Sequence, residues 1–362
     1  MIRIWDMALE ISPDRPQPTP QLTVIIPARN EAESIRECLA SLVRQSESGF
    51  QLGEDWELMV VDDGSSDATR QIAEKFEEVT VLAAPPLPPG WTGKCNAVWF
   101  AARQARGEWL LFTDADTIHE AGDLRRAIHE AERYHVSLLS YSPRQLVHGF
   151  WQRALMPLIF SALAAKYPPS LVNQPESPMA AANGQFLMIS RAAYRRLGGH
   201  EAVRDSLIED VELARRCKRA REGVRLRYAP DAVSTRMYRG FGAMCEGWTK
   251  NLALLFPDAL TLGLSRLLVA GLIFGLPFAA VWSYLMVEPA GVVWCLWLWW
   301  MWRAGTHYSR TAAAHFTAFD TFLSPLALPL FAWLLLASWM RQRLHRPAIW
   351  KGREYLTRST GK

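Results

Sequence analysis

The sequence predicts an α/β fold: a mostly parallel sheet with helices on both faces, followed by a C-terminal region of membrane helices. Three observations carry this expectation. Between about residues 22 and 256, short apolar runs alternate with segments whose apolar residues recur at helical spacing, the pattern of a sheet buried on both faces. Polar clusters follow directly after several of the runs, where open parallel sheets bind ligands. From residue 267 to 340 the composition shifts to Leu, Ala, Trp and Phe, which implies a second solvent, a bilayer.

Taken in order, residues 22–26 read as a buried strand halted at Pro27. Asn30, with Glu33 three residues on, is expected to cap a helix whose inner face is Ile35, Leu39, Leu42 and Val43. The unit then repeats: residues 58–61 form a strand, Asp62-Asp63-Gly64 turn, and a helix follows with Ile72, Ala73 and Phe76 inward. Further strands are expected at 79–82, 109–113, 137–141 and 186–189. Three strand ends are chemically loaded, with Pro27-Ala28-Arg29-Asn30-Glu31 after the first, Asp62-Asp63-Gly64-Ser65 after the second and Asp114-Ala115-Asp116 after a later one. If those strands are neighbours, the three clusters make one site.

Asp114 and Asp116 are the most informative pair. Polar residues ordinarily punctuate strands, but carboxylates at alternate positions of an extended segment point the same way and repel unless a cation sits beside them. An oxygen-only site of this kind suits Mg²⁺ or Mn²⁺, which take few protein carboxylates and complete their shell with phosphate and water. The loop PPGWTGKCNAV places Lys94 at a probable helix start, an anion site suited to diphosphate. It lacks P-loop spacing, which disfavours a nucleoside triphosphatase, and no G-x-G-x-x-G follows the first strand, which disfavours a nicotinamide oxidoreductase.

Composition narrows the partners. A formal charge of +4 over 362 residues is too mild to imply nucleic acid. The cysteines, Cys38, Cys95, Cys217, Cys245 and Cys295, have no zinc or redox spacing and read as free thiols on the reducing side. The opening MIRIWDMALEISPDRPQPTP lacks the apolar core of a signal peptide and reads as a flexible lead.

The ordered set P-A-R-N-E, V-V-D-D-G-S-S-D, G-W-T-G-K, T-D-A-D, N-G-Q-F and I-E-D resembles the inverting glycosyltransferases of family 2, with the GT-A fold, over roughly residues 22–256. The resemblance implies that Asp63 reads the uracil of a UDP-sugar donor, with Pro27, Ala28 and Glu31 lining the nucleoside pocket. It implies that Lys94 lies in the donor site and that Asp116, helped by Asp114, ligates the metal on the diphosphate. In SLIEDVELARR, Asp210 then matches the general base, although a carboxylate at a helix start also has a plain role against the helix dipole. Many processive members carry Q-x-x-R-W after the base, whereas here Trp248 is in place but Glu246 and Gly247 precede it, leaving Arg239 or Lys250 as substitute donor contacts. The Y-R-G-F…E-G-W-T-K-N variant instead resembles the lipid-modifying branch, including carotenoid-acid glycosyltransferases.

Residues 267–287 and 319–340 are long enough to cross a bilayer, which needs roughly 20 residues, and residues 291–302 are apolar but short. Trp282, Trp294, Trp297, Trp299, Trp300, Trp302, Trp333 and Trp339 concentrate there, as interface-seeking side chains do. The basic residues after Met340 place the tail, and with it the catalytic domain, on the cytoplasmic side of the cell membrane. Residues 150–169 are either an interfacial helix or a core helix. The expected organisation is a lead (1–20), a GT-A domain (21–262), transmembrane or re-entrant helices (263–340) and a basic tail (341–362). The expected activity is transfer of a hexose, glucose from UDP-glucose, to a lipid acceptor. The rivals are a polyprenyl-phosphate glycosyltransferase and a catalytically silent lipid-binding protein.

Overall fold

A computed structural model describes residues 19–286, 289–351 and 353–355. The expected lead falls almost wholly outside the described residues, as does the end of the basic tail. In chain order, the first half runs β1 (Leu22–Ala28), α1 (Ile35–Val43), β2 (Trp56–Asp62), α2 (Thr69–Ala73), β3 (Val79–Ala83), α3 (Gly93–Ala102), β4 (Trp109–Phe112), β5 (Thr117–His119), α4 (Asp123–Arg133), β6 (Leu138–Ser142) and β7 (Arg144–Gln145). It continues with α5 (Gly149–Lys166), α6 (Pro169–Val172), β8 (Leu187–Ser190), α7 (Arg191–Arg196), α8 (Glu209–Arg219), β9 (Val224–Tyr228), β10 (Val233–Thr235) and α9 (Phe241–Leu255). Last come α10 (Ala259–Leu285), α11 (Ala290–Ala312), α12 (Ala318–Leu323), α13 (Leu328–Arg343) and a hairpin of β11 (Ala348–Trp350) and β12 (Arg353–Tyr355).

The central sheet has seven strands in the order β3-β2-β1-β4-β8-β6-β9. All six strands expected from the sequence are in it. The seventh, β9, carries Arg225 and Arg227 and so lacks the apolar run that marks the others. Pairing is parallel from β3 through β4 and again between β6 and β9, while β8 is antiparallel to both its neighbours.

Strand alternation explains why both faces are covered. Val24 and Ile26 pack with Leu58 and Val60 against Ile35, Leu39 and Leu42 of α1 and Leu124 and Ile128 of α4. Ile25 and Val61 face the other way, onto Ala97, Val98 and Ala101 of α3 and Ala214 and Cys217 of α8.

A separate helical core joins Leu155, Leu158 and Ile159 of α5 to Met244, Trp248 and Leu252 of α9, and to Ala270 of α10 and Phe331 and Leu335 of α13. Among the described residues, three stretches are long and apolar enough to cross a bilayer: 149–172, 259–285 and 318–343. The short middle block lies inside the 23-residue helix α11, whose second half carries Arg303 and Arg310. Large side chains on these helices stay outward, Phe278 at 72% and Trp294 at 67% exposure, an extended apolar surface that suits lipid.

Candidate functional site

Strands β2, β1 and β4 are adjacent, and the pairs Ala28 with Asp62 and Ile25 with Phe112 bring their carboxyl ends to one edge. The first two strand-end loops are tied to each other. The Arg29 guanidinium donates to the carbonyls of Asp63 and Gly64, the latter at 3.1 Å. Asn30 adopts the left-handed region (φ 53°), donates its N–H to Ser65 Oγ at 3.0 Å and accepts from Ser66 N at 2.8 Å. The expectation that Asn30 caps α1 is therefore corrected: α1 starts after Ser34, with no side-chain cap, because the Asn30 amide is committed to the neighbouring loop. Gly64, at φ 70°, makes the turn beside Asp63 that a side chain would strain.

At the third strand end, Asp114 Oδ1 accepts from Lys94 Nζ at 2.8 Å, and Lys94 also reaches Glu209 Oε1 at 2.9 Å. Lys94 stands in the first turn of α3, whose N-cap Thr92 accepts from Cys95 N at 3.2 Å. Burial opposes its charge, but Asp114, Glu209 and Asp210 outweigh that and raise its pKa well above the usual value. Asp116 is different. Its Oδ1 is buried with no hydrogen-bond partner among the described residues. Burial, then Asp114 and Glu31, push its carboxyl up to about 7. Among the described residues no group of three or more His, Cys, Asp or Glu side chains is arranged to hold a metal. The orphaned Asp116 oxygen beside Asp114 nevertheless fits a hard divalent ion that draws its remaining ligands from phosphate and water.

Asp210 sits in the first turn of α8. Its Oδ2 accepts from Gly184 N at 2.7 Å and its Oδ1 from Val211 N at 2.8 Å. Burial, then Glu209, push it up to about 7, against the lowering effect of Lys94 and the two N–H donors. A Cβ at Gly184 would stand 3.1 Å from Lys94 Nζ and 3.4 Å from Asp210 Oδ2, so the glycine lets backbone approach both groups. Asp210 thus stands at the start of α8 and, across Gly184, beside Lys94.

One cavity of about 900 Å³ is lined by every residue singled out in the sequence: Pro27, Ala28, Glu31, Asp63, Lys94, Asp114, Asp116, Asp210 and Trp248. Lys250 also lines it, its ammonium held down to about 8 by burial. Arg239 lines it too and pairs with Glu33 at 3.1 Å.

Two further residues reach the site from the end of the chain. Lys351 ion-pairs with Glu31 and donates to Arg29 O at 2.7 Å, and Arg353 ion-pairs with Asp63. In the sequence Lys351 and Arg353 count only as tail charge, because no local pattern tells a docked basic hairpin from a solvated one.

Residues 23–198 match the family model "Glycosyl transferase family 2". The chain is 29% identical over 248 residues to 4,4'-diaponeurosporenoate glycosyltransferase of Staphylococcus haemolyticus (strain JCSC1435), a match over 65% of this chain and 62%, under two thirds, of that protein's length. To the protein of the same name from Staphylococcus aureus (strain USA300) it is 24% identical, over 92% of this chain and 88% of the other. A mannosyltransferase from Pyrobaculum calidifontis, solved in complex with GDP-Man and Mn²⁺, shares the fold with a TM-score of 0.51 and 21% identity, covering 89% of this chain and 86% of that one. Sheet order and loaded strand ends define a GT-A fold. Residues 23–198 thus carry a glycosyltransferase family 2 domain.

Proposed function

We propose that the protein transfers a hexose, glucose from UDP-glucose, to a lipid acceptor at a membrane. The observation that carries this reading is that Asp63, Asp116 and Asp210, from the ends of β2 and β4 and the start of α8, line one cavity that runs on into the apolar helical layer. Asp63 would hold the uracil, with Pro27, Ala28 and Glu31 around the nucleoside. Asp116, with Asp114, would hold Mg²⁺ or Mn²⁺, which when bound supplies positive charge to the leaving diphosphate. Lys94, bridging Asp114 and Glu209, keeps these carboxylates from repelling one another and orients Asp114. Asp210, its pKa raised to about 7 by burial and Glu209, is suited to take a proton from a hydroxyl at neutral pH. The names of the staphylococcal relatives support a carotenoid-acid acceptor.

The domain organisation goes with this reading: a catalytic unit over 21–262, membrane helices over 263–340 and a basic tail over 341–362. The first of these helices begins four residues earlier, at Ala259. The positive residues after Met340 support a multi-pass protein with its catalytic unit on the cytoplasmic face. Incubating membranes that contain the protein with a panel of UDP-sugars and total lipid, then identifying products by mass spectrometry, tests the reading. Absence of any glycosylated lipid, with every sugar in the panel, would refute it.

A further inference from the structure

The helical layer carries a second group of charges, none of which lines the large cavity. Arg266 stands about two turns into α10, and Arg303, His307 and Arg310 follow the apolar half of α11. Trp300 Nε1 donates to Ile273 O at 2.9 Å. Seven residues on along α11 and seven back along α10, His307 and Arg266 come level, so the basic side chains share one stretch of the helix pair. His307 lies within electrostatic reach of Arg266 and Arg303, and Arg266 within reach of Arg310. Arg266 Nε and Arg303 Nε are buried with no hydrogen-bond partner among the described residues. The carboxylates that flank these helices are already taken, Asp320 by Arg153 and Asp258 by Lys166, each at 2.9 Å. A guanidinium is always charged and carries five N–H donors, and buried donors are ordinarily paired, so two such groups without a partner call for an anion.

The surroundings say which kind. Next to the arginines the two helices present Leu268 and Trp302 outward, at 65% and 60% exposure, and the Arg303 guanidinium lies over the Trp302 ring at 5.6 Å. Apolar side chains that seek lipid and guanidinium groups that seek an anion meet where acyl chains give way to head groups. Resting on the membrane part of the proposed function, we propose that Arg266 and Arg303, with Arg310 beside them, form a site for the phosphate of an anionic phospholipid. Planar guanidinium forks match phosphate oxygens, and three positive charges without an acid favour a lipid of net negative charge over a zwitterionic one. Because Ala270 of α10 and Trp248 of α9 belong to one core, a lipid held there fixes the depth at which the apolar side of the large cavity meets the bilayer.

The test uses the full chain in a neutral detergent, titrated with dioleoylphosphatidylglycerol, dioleoylphosphatidylcholine or inorganic phosphate, with binding read by native mass spectrometry. The wild type is expected to bind phosphatidylglycerol about tenfold more tightly than phosphatidylcholine. Arg266→Gln and Arg303→Gln should each weaken phosphatidylglycerol about fivefold, the scale of one arginine at an anionic surface. Arg103→Gln, the same charge change at the exposed end of α3, should not. Should a glutamine variant fold poorly, lysine at the same position keeps the charge without the fork, and should cost about twofold while still favouring phosphatidylglycerol. Equal binding of the two lipids, an equal loss from Arg103→Gln, or displacement of the lipid by inorganic phosphate would overturn the inference. A full chain that stays monodisperse without detergent would overturn the membrane part of the proposed function with it, whereas UDP binding by the same preparation reports on the glycosyltransferase reading independently.

Discussion

Arg353 donates to the carboxylate of Asp63, a residue 290 positions earlier, and so the end of the chain closes onto the turn after β2. The neighbouring Lys351 makes the same kind of contact to Glu31. Both partners are residues expected to hold the nucleoside, and a uracil bonded to Asp63 would have to displace the guanidinium.

Arg353→Ala is therefore expected to tighten UDP binding by about fivefold, as befits removal of a competing ion pair worth about 1 kcal/mol. Isothermal titration calorimetry on wild type and variant checks this. Weaker binding in the variant would mean that Arg353 contributes to the donor site instead.

Asp116→Asn should abolish transfer and the Mn²⁺ dependence of UDP binding while the fold persists. The sign of its stability effect follows from the raised pKa. The folded carboxyl titrates at about 7, against 3.8 for the ordinary group. Ionising it in the fold is thus unfavourable, and the cost is fully present above pH 7. The variant should melt no lower than wild type at pH 8, as circular dichroism would record. A large drop in melting temperature would assign Asp116 to the structural framework.

Asp210→Asn separates acceptor classes. With a hydroxyl acceptor, loss of a positioned base costs about 10²- to 10⁴-fold in turnover. The wild-type rate should then fall as pH drops through about 7, where the Asp210 carboxyl takes up its proton. With a carboxylate acceptor the loss should stay within about tenfold, because no proton has to be removed. Stability moves independently of the acceptor: the folded group binds its proton more tightly than the unfolded one, so wild-type stability declines from about pH 4 to 7 and the variant should decline less. Parallel pH–rate and pH–melting profiles decide both points.

Truncation after residue 262 should leave a fragment that binds UDP yet still needs detergent. Trp248, Leu252 and Phe256 belong to the same buried cluster as Phe331 and Leu335 of α13, so the cut would expose them. Sedimentation without detergent measures this, and a monodisperse soluble fragment would show that the helical core is dispensable to the catalytic unit.

The sequence by itself determined the alternation of strand and helix, the clusters at the ends of β1, β2 and β4, and the apolar helices, because each is written in local spacing. Eight of the nine expected site residues sit at a strand end, a turn or a helix start, whereas Trp248, in the middle of α9, was reached only through the family resemblance. Tertiary structure alone decided what these residues face. Asn30 looked like a helix cap, but its amide found the loop after β2, since a side chain bonds to whatever the sheet order brings near. Strand β9 was hidden by its arginines, whose charge is met by Glu130 of α4 across the fold. Likewise, that Lys94 spans Asp114 and Glu209 and that Arg353 returns to Asp63 are pairings between residues far apart in the chain. They follow from packing two cores together, and no residue's immediate neighbours record them.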